Sequence, residues 1–338
     1  MLVGVSGGVD STVLLRLFVE FVERRRARPG AVLAVGHLDH RLDADSAARA
    51  EFVRGEAASL GIPCLAAAAD VRERSRRERR SLEEAARLER LDFFGRAAAG
   101  SGCSAVAVGH TRSDQAETVL LRLVRGSGGP GLGAMPLARP DDRGFLLIRP
   151  LLRVSRTMVE ALAEARGWPF QEDASNRSPE FARNRVRREV LPHLAASLNP
   201  RAEAALARAA DLLRDDEDLL GELARGQFSR LARLRETGVQ LPREALSALP
   251  PALSGRVLRL ALLKVRGDLL RLTRRHLAAL GRLAASGRGG AALDLPGIRA
   301  RCEGGNLLLE AVAGKPATPF RGGEGNHRAG ARVIRSGG

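Results

Sequence analysis

The 338-residue sequence has no tyrosine, a single tryptophan and three cysteines. Cys64, Cys103 and Cys302 are scattered, and none stands in a CxxC pair. That excludes a disulfide framework, a zinc knuckle or an iron–sulfur site, and leaves the three as small buried hydrophobes. Aromatic residues make up 3% of the chain, too few to line a single-strand groove with stacking rings. No apolar run reaches the roughly 20 residues of a membrane span. The opening MLVGVSGGVDS has no basic n-region and no small-residue cleavage site, so the expected compartment is the cytoplasm. A GxxxxGK segment followed by Ser or Thr is absent as well, which removes phosphate binding of the Walker type. Lysine is almost missing: Lys264 and Lys315 are the only two among 55 basic residues.

What is abundant is arginine. The formal net charge of +16 and a pI near 11.4 point towards a polyanionic partner, for which the planar arginine fork is well suited. The plainer reading is a GC-rich genome, which would also favour Arg, Ala and Gly. A content of 44% hydrophobic and 28% charged residues is ordinary for a globular protein, and the length suffices for two domains with real cores.

The first half alternates short buried strands with amphipathic helices. Strands are expected at Val3–Val5, Val32–Val35, Ile62–Ala66, Ala105–Val108 and Phe145–Ile148. Helices are expected from about Ser11 to Arg25, Asp45 to Leu60 before Gly61, Ser81 to Ala99, Asp114 to Val124 and Ser155 to Arg166. A charged stretch, Arg72–Arg80, and a Gly/Pro-rich loop, Arg125–Pro136, interrupt the alternation. Repeated β-α-β units imply an α/β fold with a doubly wound parallel sheet, and in such sheets ligands bind beyond the carboxyl ends of the strands. A basic helix, about Glu180–Leu198, closes this half, and Asn199-Pro200 marks the boundary. The expected domains are 1–198, a mainly helical 199–313, and a tail, 314–338, rich in Gly, Arg and Pro and expected to be disordered. The second domain ends in a β-like piece, Ala292–Leu309, turning at Glu303-Gly304-Gly305-Asn306.

The most informative element is strand, then Ser6-Gly7-Gly8-Val9-Asp10-Ser11, then helix. Glycines without Cβ let backbone N–H groups approach an anion, and the helix start adds free donors and a positive dipole end. Ser6 and Ser11 offer hydroxyls, and Asp10 is placed to hold Mg²⁺ beside phosphates. The bland alternative is a Gly-Gly turn with Asp10 or Ser11 capping the helix; the full hexapeptide between strand and helix argues against it.

SGGVDS resembles the PP-loop of the N-type ATP pyrophosphatases, which transfer AMP from ATP and release pyrophosphate. Further stretches are similar to the tRNA(Ile)-lysidine synthetase family: Val35-Gly36-His37-Leu38-Asp39-His40, Ser81 to Arg90, Gly109 to Thr118, Arg122 to Gly128, Gly131 to Met135, Arg149-Pro150-Leu151-Leu152, Asp173-Ala174-Ser175-Asn176, and Arg183-Asn184-Arg185-Val186-Arg187 with Leu191-Pro192. They cover residues 1–195 in order. The family usually has Asp at Ser113, often His at Thr111, and Tyr at Leu91, and its usual helix before the PP-loop strand is not in this sequence. The resemblance implies an adenine nucleotide α-hydrolase-like fold. It implies a reaction in which ATP adenylates C2 of the wobble cytidine of a CAU anticodon and the ε-amine of free lysine then replaces AMP. ATP, Mg²⁺, tRNA(Ile) and L-lysine are the implied cofactors and partners, and a homodimer stays open.

On that reading the PP-loop residues Ser6, Gly7, Gly8, Val9, Asp10 and Ser11 hold ATP, with His37 and Asp39 lining the adenosine side. Asp114 and Glu117, three apart on one helix face, and His110 at a strand end surround the reaction centre and a lysine ammonium. Arg183, Arg185, Arg187 and Arg188 contact tRNA phosphates, one of them, Arg183 or Arg187 among the candidates, stabilising transition-state charge. Each has a plainer alternative: Asp114 complementing a helix N-terminus, Glu117 solvated, and the arginines forming a wet helix face. Gly126–Gly133 is either a closing loop or a passive one. Two other functions stay open, a PP-loop tRNA thiolase of the 2-thiocytidine type and a non-catalytic tRNA-binding module. The absence of CxxC speaks against the first, the intact SGGVDS against the second.

Overall fold

The computed structural model describes residues 1–24, 32–42, 45–171, 182–286 and 289–312. The chain divides into two compact units, Met1–Glu217 and Asp218–Gly338.

In the first unit, β1 (Leu2–Gly4), β2 (Ala34–Asp39), β3 (Cys64–Ala68), β4 (Ala105–Val108), β5 (Ala138–Asp141) and β6 (Phe145–Ile148) form one sheet in the order β3-β2-β1-β4-β6-β5. All neighbours are parallel except β5, which runs antiparallel to β6 at the edge. Around it lie α1 (Val9–Arg24), α2 (Ser46–Ser59), α3 (Val71–Glu78), α4 (Leu82–Gly100), α5 (Arg112–Val124), the single-turn α6 (Gly129–Leu132) and α7 (Arg156–Ala165). Successive strand residues face opposite sides, so adjacent Leu2 and Val3 belong to two separate cores. Val3, Val35 and Ala107 pack with Val13 and Leu14 of α1, Val53 of α2 and Val159 of α7. Leu2, Val106 and Leu147 pack with Phe93, Phe94 and Ala97 of α4. This is the doubly wound arrangement the sequence predicts. Strand order reverses between β1 and β4, which puts the loops following these two strands side by side.

Several elements differ from the sequence reading. The second strand runs to Asp39 instead of stopping at Val35, because His37 and Asp39 interrupt the apolar run without interrupting the parallel ladder to β3. Charged Arg72–Arg80 falls largely within α3, started by the Asp70 carboxylate accepting from the Glu73 N–H at 2.9 Å and anchored by Arg74 on Asp92 at 2.6 Å. The strand β5 was not foreseen: its Ala-Arg-Pro-Asp sequence has no β pattern, and Pro140 is tolerated on an edge. The basic helix is broken into α8 (Ala182–Arg185), a π-turn Val186–Val190 and α9 (Leu191–Ser197); Glu180 and Phe181 lie outside the described residues, as does the Asp173–Asn176 motif.

A 30-residue helix, α10 (Ala202–Leu231), begins just after Asn199-Pro200 and contains the division between units. The second unit then has β7 (Arg233–Arg235), β8 (Gly238–Pro242), α11 (Arg243–Ala248), α12 (Pro251–Arg266), α13 (Arg274–Ala285), β9 (Ala292–Leu295), β10 (Ile298–Glu303) and β11 (Asn306–Ala311). Its antiparallel sheet, β7-β8-β11-β10-β9, is larger than the terminal β-piece expected, since β7 and β8 are short and the first is arginine-rich. Val257, Leu258, Ala261 and Leu262 of α12 bury against Leu241, Ile298, Ala300 and Leu309 of the sheet. The β10–β11 turn falls at Glu303–Asn306 as read. Residues 313–338, which include the expected disordered tail, lie outside the described residues.

Candidate active site

Between β1 and α1 the chain folds into a small hairpin that its own side chains close. The Ser11 hydroxyl donates to the Gly8 carbonyl at 2.9 Å and accepts from the Ser6 N–H at 3.1 Å. Gly7 adopts φ +93°, where an L side chain is strained. Among the described residues, a Cβ on Gly8 would have only the Ser6 hydroxyl, 3.7 Å away, as a neighbour. The loop is seated against the end of β4: a Cβ on Gly109 would stand 2.9 Å from Asp10 C, Asp10 O and Ser11 N. Two strand exits therefore meet backbone to backbone, and Gly109 is there because nothing larger fits.

Asp10 occupies the first turn of α1. One carboxylate oxygen faces the Arg156 guanidinium at 3.4 Å; the other, Oδ1, is buried and has no hydrogen-bond partner among the described residues. Burial pushes its pKa up from 3.8 to about 6 against the pull of Arg156, and the nearby Asp114 adds to the rise. Such an oxygen is suited to a hard cation. Among the described residues, no group of three or more His, Cys, Asp or Glu side chains could hold a metal unaided.

Beyond the loop, Asp114 and Glu117 of α5 share a face as their spacing implies, and two arginines seventy residues on meet both. Arg183 Nε donates to Glu117 Oε2 at 2.7 Å and its Nη2 to Asp114 Oδ1 at 2.9 Å. Arg187 Nε donates to Glu117 Oε1 at 2.5 Å and its Nη2 to Asp114 Oδ1 at 3.1 Å. Glu117 is 0% exposed, so the two guanidiniums supply the compensation that a buried carboxylate requires. The other Asp114 oxygen accepts from the Thr111 N–H at 2.8 Å and its hydroxyl at 3.0 Å, so Asp114 also caps α5. Burial pushes the Asp114 pKa up, but Arg183, His110, the Thr111 N–H and Arg187 together hold it below the usual carboxylate value. Arg187 lies on the π-turn, a backbone irregularity common at functional sites.

His110 follows Gly109. Its Nδ1 is buried without a partner among the described residues, and burial, reinforced by Arg149, Arg183 and Arg90 against the pull of Asp114, lowers its pKa to about 4. The ring is neutral at neutral pH. His37 lies near the end of β2 with Nδ1 2.8 Å from the Val5 carbonyl and Nε2 buried without a partner among the described residues. Asp39 ends the same strand and accepts from the Arg41 N–H at 2.7 Å. Ser113, which stands where the similar family usually has Asp, faces away: its hydroxyl donates to Glu203 of α10 at 3.0 Å.

Two residues near this cluster were not singled out from sequence. Arg90 of α4 has no carboxylate partner among the described residues. Its guanidinium is 3.4 Å from His40 Nε2, and burial beside Arg183 and Arg87 lowers its pKa. Arg156 holds Asp10. One arginine among 55 basic residues carries no signal by itself; only the fold shows which lack partners. The Gly-rich loop is tied down. Gln115 donates to Met135 O and accepts from its N–H, both at 3.0 Å; Arg122 reaches Gly131 O at 2.7 Å; and Arg214 donates to Gly133 O.

A glycine hairpin at the point where strand order reverses, facing a buried cluster of carboxylates and guanidiniums, defines a nucleotide-binding α/β protein of the PP-loop class. A PP-loop domain model matches residues 1–194, and the TilS substrate binding domain matches residues 241–308. Curated relatives carry the name tRNA(Ile)-lysidine synthase. The one from Geobacter sulfurreducens is 39% identical over 88% of this chain and 61% of its own length. That from Nostoc is 34% identical over 79% of each chain, and that from Streptomyces coelicolor 38% identical over 91% of this chain and 84% of its own. The chain belongs to the tRNA(Ile)-lysidine synthase family. It spans under two thirds of the first of these relatives. Among solved structures, the U34-tRNA thiolase NcsA from Methanococcus maripaludis shares the fold, with TM-score 0.51 at 18% identity over 63% of this chain and 71% of that one. No helix among the described residues is long and apolar enough to cross a membrane.

Proposed function

We propose that this chain is a tRNA(Ile)-lysidine synthase that adenylates the wobble cytidine of a CAU anticodon and joins free lysine to it. The supporting observation is the convergence of the glycine hairpin with the Asp114–Glu117–Arg183–Arg187 cluster. Backbone N–H groups at Gly7 and Gly8 and the start of α1 receive the β- and γ-phosphates of ATP. His37 and Asp39, at the end of the neighbouring strand, line the adenosine side. Asp10, with one buried oxygen lacking a hydrogen-bond partner among the described residues, would hold Mg²⁺. Bound there, the ion would supply positive charge beside the phosphates.

The cytidine O2 attacks the α-phosphorus and pyrophosphate departs. The lysine ε-amine, after losing a proton, then attacks C2, and AMP leaves carrying the former O2. Asp114 and Glu117 bind the cationic lysine. For this an ammonium must replace part of the arginine contact, and an arginine so displaced turns to the phosphate charge of the transition state. Arg183 and Arg187 are the residues for that role. His110, neutral and beside Asp114, is the hydrogen-bonding group at this centre, and the ammonium proton leaves to solvent.

The test is incubation with ATP, labelled lysine and tRNA transcripts. Pyrophosphate release that needs both ATP and a CAU anticodon, with label in the RNA, is the expected result. Sulfur transfer, or pyrophosphate release without RNA, refutes the proposal.

A further inference from the structure

The glycine hairpin is held from outside as well as by its own side chains. The Gly7 carbonyl accepts from the Gln171 N–H at 2.9 Å; the Thr12 hydroxyl, at 3.4 Å, is a longer and weaker donor to the same oxygen. That carbonyl shares one planar trans peptide unit with the Gly8 N–H, so the two groups point to opposite sides. Whatever holds the oxygen therefore aims the N–H. Glycine flanks the unit on both sides, so no Cβ opposes its rotation, and without the Gln171 bond its direction is poorly fixed. Gln171 stands where it does because of the three residues before it. Pro169 has a fixed φ, and Trp168 and Phe170 pack against the core that holds Val9, Val13 and Leu14 of α1. The Trp168 ring also lies under two guanidiniums, Arg16 at 5.9 Å and Arg166 at 5.6 Å from its centroid. Both cations are themselves anchored, Arg16 by Glu56 of α2 at 2.7 Å and Arg166 by Glu20 of α1 at 2.9 Å.

We propose that residues 168–171 form a latch for nucleotide binding: the Gln171 N–H fixes the Gly7–Gly8 peptide with the Gly8 N–H turned towards the phosphates, and Trp168 is the positioning residue that anchors the latch. The inference rests on the reading above that the hairpin holds the phosphates of ATP. Trp168 acts on ATP only through the direction of one backbone donor. The latch therefore governs how tightly ATP is held in ground and transition state alike, and leaves the chemical step at saturating nucleotide as it is. Because coupling is reciprocal, ATP in turn tightens the Gln171 bond.

The test uses the full chain and Mg-ATP, first without RNA or lysine. Trp168→Ala is expected to bind ATP on the order of tenfold more weakly, and Trp168→Phe, which keeps a packed ring, to stay within about threefold of the parent. Phe145→Leu, in the core on the opposite face of the sheet, is the control for lost packing: its Tm falls and its ATP affinity stays parental. In the full reaction the KM of Trp168→Ala for ATP rises by the same factor while kcat stays within about twofold. Hydrogen exchange at the Gln171 amide of the parent needs no variant, and so stands even where Trp168→Ala does not fold: ATP should slow it on the order of tenfold. Parental ATP affinity in Trp168→Ala, an equal loss in Phe145→Leu, or unchanged exchange overturns the latch. A parent that binds ATP but incorporates no lysine sinks the proposed reaction and leaves the latch; a parent that binds no ATP sinks both.

Discussion

Substituting Gly109 by alanine tests the seating of the glycine hairpin. The added Cβ would stand 2.9 Å from three backbone atoms of Asp10 and Ser11, where ordinary contact begins at 3.4 Å. About 0.5 Å of separation must be created, and none of it can come from a flexible side chain. Overpacking of this kind costs about 1–3 kcal/mol. For a unit of this size that lowers Tm by about 2–12 °C. The displaced atoms belong to the hairpin, so kcat/KM for ATP falls on the order of tenfold to a hundredfold. Gly8→Ala provides the contrast. Its φ is not positive and, among the described residues, its Cβ would meet only the Ser6 hydroxyl at 3.7 Å, so Tm should move by no more than about 2 °C. The methyl group nevertheless stands where a phosphate must approach the backbone, and nucleotide affinity should drop at least about tenfold. Differential scanning fluorimetry with and without ATP reads both effects. A Gly109→Ala protein that melts and turns over like the parent, or a Gly8→Ala protein that keeps its nucleotide affinity, would refute the reasoning.

Arg187→Ala removes the only donor to Glu117 Oε1 among the described residues while Arg183 remains, and should cost about 1–3 kcal/mol in denaturant unfolding. Adding Glu117→Gln should recover part of that loss, since the uncompensated charge is gone; a purely additive double variant contradicts the ion-pair account. The lowered pKa of His110 gives a pH prediction. With about 4 in the folded state against 6.5 as the ordinary value, its contribution is fully present above pH 6.5 and is lost as pH falls towards 4. The full window is worth roughly 3 kcal/mol at most. His110→Asn should flatten the parent's stability slope between those pH values, and an unchanged slope would mean that the ring is not held neutral by burial.

The parts of this fold legible in the sequence are those in which burial is continuous. Ala105–Val108 and Phe145–Ile148 are apolar runs between breakers, and the strands occupy those residues. The carboxyl half of β2 was hidden because His37 and Asp39 stand there in place of apolar residues. The helix α3 was hidden for a different reason. Apart from Val71 it has no buried stripe, and it is held by a cap and by Arg74 reaching Glu78, Glu89 and Asp92. At the site, the hexapeptide and the Asp114–Glu117 spacing were readable because local geometry determines them. The partners of those carboxylates were not, since Arg183 and Arg187 lie seventy residues away in a chain where arginine is everywhere. The pinned glycine loop also needed the fold, because Arg214, which holds it, is eighty residues downstream.

The most direct test of the central claim is mass analysis of the wobble nucleoside after reaction of a CAU-anticodon tRNA transcript with ATP, Mg²⁺ and lysine. A cytidine heavier by one lysine less one water, formed only when all components are present, is the predicted product. An unmodified cytidine, or one carrying sulfur, would contradict the account.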